Sequence, residues 1–151
     1  MSNLELFVSL KVADNVAITA FHTLERMGYK QLKRLERMDY YKFEFSGDVK
    51  NFQKKISQVD ILINANKHKF SFSLEKNEVN KVYVLVQDFV GSTGMLKILR
   101  ERLGFKHIKK MEKGVIWAMH FNNIIDAKEK AVEIAKGLLI NENYQKLRIM
   151  G

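Results

Sequence analysis

Leu62-Ile63-Asn64-Ala65-Asn66 returns as Leu139-Ile140-Asn141-Glu142-Asn143, and each copy closes a helix-like segment and precedes a short alternation of apolar residues. Working outward from Gly28 and Gly104 extends the match. Glu25-Arg26-Met27-Gly28-Tyr29-Lys30 lies over Glu101-Arg102-Leu103-Gly104-Phe105-Lys106, with Val8 over Val84, Lys33 over Lys109, Glu36 over Glu112 and Phe45 over Phe121. One residue of slippage in the second helix of each copy aligns the Leu-Ile-Asn segments. A repeat of about 75 residues is too long for a solenoid unit. The chain therefore reads as two copies of one small domain, residues 1–76 and 77–151.

Within the first copy, Leu4, Leu6, Val8 and Leu10 alternate as in a half-buried strand. Asp14 or Asn15 can cap a helix carrying Ala17, Phe21 and Leu24, and Gly28 can end it in a left-handed cap. Gln31 to Met38 and Tyr41 to Phe45 predict two strands around a tight turn near Arg37 to Asp39. Ser46-Gly47-Asp48 then opens a helix whose buried stripe is Val49, Phe52, Ile56, Val59 and Ile63, and Phe70, Phe72 and Leu74 predict a closing strand. The order β-α-β-β-α-β is the ferredoxin-like plan of an α+β fold. The second copy repeats it, from Val82, Val84 and Val86 to Leu147 and Ile149.

Each such sheet keeps one face free of helices. In the second copy that face carries Tyr83, Leu85, Ile116 and Ala118, or their equally apolar alternating neighbours. A face of this kind is seldom left wet. The two antiparallel sheets are therefore expected to pack face to face as an intramolecular pseudo-dimer, with strand pairing between chains as a route to a homo-oligomer.

Composition sets outer bounds. With 46% hydrophobic and 28% charged residues, the chain of 151 has an ordinary globular balance. The absence of Cys excludes a disulfide framework, a thiolate metal site and a cysteine nucleophile. No uncharged run of about 18 apolar residues occurs. The expectation is a cytoplasmic protein with no membrane contact. The net charge of +9 divides into +4 for residues 1–76 and +5 for 77–151. Such a field attracts nucleic acid, anionic ligands or acidic proteins without choosing among them, and a Lys-rich solvated surface is the simpler account of it.

Gly91-Ser92-Thr93-Gly94 sits where a strand passes into a helix, so Gly91, Ser92 and Thr93 are candidates for binding an anion through backbone amides. The stretch lacks the Walker ending and the GxGxxG spacing, and a turn with a Ser or Thr cap explains it too. His22, His68, His107 and His120 show no two-ligand helical spacing, so neither metal nor cofactor is expected. Ser46, Ser92 and Thr93 have no identifiable base partner and the carboxylates are scattered in Lys-rich contexts, which leaves no catalytic constellation in view. Tyr40-Tyr41-Lys42-Phe43 and Lys67-His68-Lys69-Phe70 interleave aromatics with bases, as an RNA-stacking sheet would, or as a plain strand core would.

The order of elements, with the Leu-Ile-Asn end of the second helix, resembles the small PurS subunit of phosphoribosylformylglycinamidine synthase, once per half. Val8-Ser9-Leu10-Lys11 is similar to that family's first strand, and Gly28-Tyr29 to the Gly-Tyr after its first helix. Gly91-Ser92-Thr93-Gly94 occupies the place of its Asp-Pro-x-Gly and keeps the final Gly, whereas Asn15-Val16-Ala17-Ile18 keeps none. The Pro that follows the family's Asn is absent after Asn64 and Asn141. The resemblance implies a non-catalytic accessory subunit that bridges an ATP-dependent amidoligase and a glutaminase in purine synthesis. It points to Lys11, Asn64, Gly94 and Asn141 as partner-binding residues. The alternative is a basic ferredoxin-like module that binds RNA or a small anionic ligand.

Overall fold

The computed structural model describes residues 1–75, 80–91 and 93–150. Strand β1 (Ser2–Leu10) leads into helix α1 (Asn15–Arg26), strand β2 (Leu32–Phe45), helix α2 (Val49–Ile56) and strand β3 (His68–Ser71). The order then recurs as β4 (Lys81–Asp88), α3 (Thr93–Glu101), β5 (Ile108–Phe121), α4 (Ala127–Ile134) and β6 (Gln145–Met150), with a π-helical turn, Ala135–Leu139, continuing α4. The fold is mixed α+β, built on one antiparallel sheet in the order β3-β1-β2-β5-β4-β6.

Two features depart from the reading of the sequence. Gln31 to Phe45 is no hairpin: Leu32–Phe45 runs through Arg37-Met38-Asp39 as one strand, and Ile108–Phe121 runs likewise through Lys113-Gly114-Val115. Each half thus contributes three described strands rather than four. The favoured two-residue hairpin turns require positive φ, and the glycines that adopt it are Gly28, Gly47 and Gly104. None lies at either crossing, so the alternation of Leu35, Arg37, Asp39, Tyr41, Phe43 and Phe45 continues unbroken.

Nor do two sheets pack face to face. β2 and β5 pair from Leu32 opposite Phe121 to Phe45 opposite Ile108 and join the halves edge to edge. Separate sheets would leave a long strand edge open on each half, whereas this ladder satisfies those backbone groups. The register carries the repeat in itself. Asp39 faces Val115, its own counterpart 76 positions on, and the pair Tyr40–Gly114 mirrors Met38–Ile116. A pseudo-two-fold axis therefore passes through the Asp39–Val115 pair.

On the outer flanks Val8 lies opposite Asp39 and Val86 opposite Val115. The structural counterpart of Val8 is thus Val86, two positions beyond the Val84 of the sequence match. The difference is absorbed before β5, where α3 has 9 residues against 12 in α1.

The helices cover one face in two clusters, and each cluster draws on both halves. Leu4, Leu6, Phe43 and Phe45 pack with Phe52 and Ile56 of α2, but also with Leu99 of α3, Phe105 and Ile108. Val82, Val84, Trp117 and Met119 pack with Ala131 and Ile134 of α4, together with Ala17 and Leu24 of α1 and Leu32 and Leu35 of β2. A long strand that crosses the axis carries its preceding helix to the far side. The second face holds Phe7, Tyr40, Tyr83, Leu85, Ile116 and Ala118, all buried. Met38, Leu74 and Met150 pack against them, so strand edge and connecting segment contribute to the cover in place of a second sheet.

Candidate functional site

β1 and β4 both end beside the pseudo-two-fold axis, and the helices that follow them start there. Asp14 shows what one start requires. Its carboxylate accepts from the amides of Val16 (3.0 Å) and Ala17 (3.3 Å), which caps α1. The same group receives Arg37 Nε at 2.9 Å and Nη2 at 3.3 Å, a two-pronged pair with both side chains less than a third exposed. The Arg37 guanidinium also lies 6.0 Å from the Trp117 ring centre. Helix, strand and the opposite half are thereby tied at one point. The sequence reading missed this cluster because it placed Arg37 in a turn: the charged Arg37 and Asp39 interrupt the apolar alternation between Leu35 and Tyr41 and leave no local signal for a continuous strand.

Two notches flank the axis, because β1 covers β2 only from Asp39 onward and β4 covers β5 only from Val115. One, of about 680 Å3, runs between Lys11, Asp14, Arg37 and Lys69; the other, of about 510 Å3, between Arg37, Asp39, Gly91, Lys113 and Lys146. Desolvation by the surrounding atoms raises the pKa of Asp39 against the pull of Arg37, His68 and Lys113, although the residue as a whole is exposed. Tyr41 beside it is pushed up to about 12, first by burial and then by the Asp39 charge. On the second face burial would lift Glu36, but hydrogen bonds and charge from Arg34 and His120 hold it below the usual carboxylate value.

The candidates from the sequence fall into these surroundings unequally. Asn64 builds a turn: its side-chain oxygen accepts from Asn66 N at 3.0 Å, its carbonyl accepts from Lys67 N and His68 N, and its amide donates to His68 Nδ1 at 3.0 Å. Asn141 repeats the set, with Asn143 N at 3.1 Å, Tyr144 N and Gln145 N on its carbonyl, and Gln145 Oε1 at 3.1 Å. Asn suits both positions because its short amide bonds the backbone two residues on. Lys11 joins the first turn through Nζ on the Ala65 carbonyl at 2.6 Å. At the other end Phe89 N donates to the Tyr144 carbonyl, which brings the segment leading to Gly91 against the Asn141 turn.

Gly91 lines the second notch, Thr93 opens α3 and Gly94 follows in its first turn. Ser92 lies outside the described residues. The structure thus brings Lys11 to Asn64, sets Gly91, Thr93 and Gly94 at the opposite helix start, and keeps the two groups on separate flanks of the axis. Among the described residues no cluster of three His, Asp or Glu side chains could hold a metal ion, and no helix is long and apolar enough to cross a membrane. No family model matches the chain, and no curated protein does.

Proposed function

We propose that the chain is a non-catalytic subunit of the PurS type that holds partner proteins together. The observation that carries this reading is the two-fold register through Asp39 and Val115, which sets an Asn turn and a helix start on each flank. A body with two like surfaces suits a bridge. In the finer fold each unit is ferredoxin-like once the long strands are counted as two: β3, β1, the second half of β2 and the first half of β5 form one unit, with β6, β4 and the remaining halves forming the other. Each unit then takes its first helix and one strand from the opposite half, α3 serving the first and α1 the second. The partners in this reading are an amidoligase and a glutaminase.

The test is affinity capture with tagged chain from lysate of its own organism, at moderate salt with glutamine and ADP-magnesium, and mass spectrometry of what is retained. Recovery of both enzymes supports the bridge. Recovery of RNA and ribosomal proteins alone, released by nuclease or salt as counterion competition requires, overturns it in favour of a basic nucleic-acid module.

A further inference from the structure

Between the β2–α2 turn, α2 and the turn entering β5 lies a cavity of about 890 Å3. Its floor is aromatic: Phe45 and Phe52 stack at 3.9 Å, and Phe105 meets Phe52 edge-on at 5.9 Å. Ile61 and Leu103 also line it, 50% and 45% exposed. Apolar side chains left in water around a concavity are the ordinary lining of a ligand site. Both signs of charge stand beside them. Lys55, His107 and Asp60 make no ion pair or side-chain hydrogen bond among the described residues, whereas the nearby Asp48 is engaged on Asn51 N at 3.1 Å.

The repeat supplies its own comparison. Counting back from Asn64 and Asn141, Asp60 corresponds to Gly137 and Ile61 to Leu138, while Leu103 and Phe105 correspond to Met27 and Tyr29. At the corresponding place in the repeat, a Cβ on Gly137 would lie 3.3 Å from the Tyr29 hydroxyl and 3.7 Å from the Met27 methyl, so a side chain there would crowd the facing wall. Around Asp60, Ile61, Leu103 and Phe105 the cavity remains.

We propose that this cavity binds a small zwitterion of the aromatic or large apolar α-amino acid class. Its side chain lies between Ile61 and Leu103 over the phenylalanine floor, its carboxylate faces Lys55 and His107, and its ammonium faces Asp60. A dozen heavy atoms in a half-open site give a dissociation constant on the order of a millimolar.

An amide-resolved NMR titration of the intact chain tests this with three probes: L-phenylalanine, hydrocinnamate, which lacks the ammonium, and phenethylamine, which lacks the carboxylate. Phenylalanine is expected to give saturable shifts at Gly47 and Gly104 but not at Gly28, the counterpart of Gly104. Each single-charge analogue should bind about tenfold more weakly, as loss of one charge-assisted contact implies. Asp60→Asn should bring phenylalanine close to hydrocinnamate. No saturable shift at Gly47 and Gly104, or an equal response at Gly28, overturns the site. An analogue that matches phenylalanine overturns the zwitterion assignment.

Discussion

Gly114→Ala should destabilise the chain although alanine is the better residue in isolation. Gly114 sits next to the pseudo-axis where β4 leaves β5, and a Cβ there would meet the Val86 carbonyl oxygen at 2.7 Å, Gln87 Cγ at 2.8 Å and Leu85 Cδ1 at 2.8 Å. The side-chain atoms can turn away, but the carbonyl oxygen is backbone beside the terminal Val86–Val115 pair of the β4–β5 ladder. Relief requires the two strands to part by roughly half an ångström, which a close-packed interior resists. Overpacking of this kind costs about 1–3 kcal/mol. The narrower unfolded ensemble of alanine returns about 0.5–1 kcal/mol. The net loss is centred on about 1 kcal/mol and reaches at most about 2.5 kcal/mol, so Tm should fall by about 3 °C for a chain of this length. Urea unfolding measures the loss, and hydrogen exchange at Val86 and Val115 locates it. Gly94→Ala is the control: nothing lies within 4 Å of its Cβ, and Gly94 stands in the first turn of α3. That substitution should stabilise by about 0.5–1 kcal/mol. Equal or higher stability of Gly114→Ala would refute the close approach of β4 and β5.

Three further outcomes are expected. Asp14→Ala should cost about 2–3 kcal/mol in urea unfolding, since it removes both the α1 cap and the Arg37 pair; Asp14→Asn should recover the cap share, and equal losses would show that the ion pair alone matters. Asp39→Asn should gain on the natural chain as pH rises. The folded pKa of Asp39 is raised above 3.8, so its favourable contribution is complete below that value and is lost as pH climbs through the folded pKa; melting curves from about pH 3 to about pH 6 should diverge upward for the variant, and parallel curves would sink the argument. Asn64→Asp should stay near the natural stability, because the acceptor for Asn66 N survives, whereas Asn64→Ala should lose about 1 kcal/mol; calorimetry that ranks them in reverse would remove the turn role.

Much of the architecture was legible because it rests on local chemistry. The alternation of Leu4, Leu6 and Val8, the cap at Asp14 and the glycine stop at Gly28 each act within a few residues, and each appears where the chain spelled it. The second face was legible only as one of two equally apolar sets, of which Tyr83, Leu85, Ile116 and Ala118 cluster there. Asn64 and Asn141 stood out as a repeated motif, but their hydrogen bonds show a shared turn-building role that the letters alone did not separate from partner contact.

What the sequence determined by itself was the repeat, the α+β class and which residues of a strand share a face, since strand and helix periodicity are properties of neighbouring residues. Which strands would meet was decided only in three dimensions. Arg37-Met38-Asp39 can bend back or run on, and local propensity does not separate the two. Running on lets β2 and β5 pair over their whole length, carries α1 and α3 across the axis, and brings Arg37 onto Asp14. That choice depends on partners some seventy residues away, whose contribution no local pattern records.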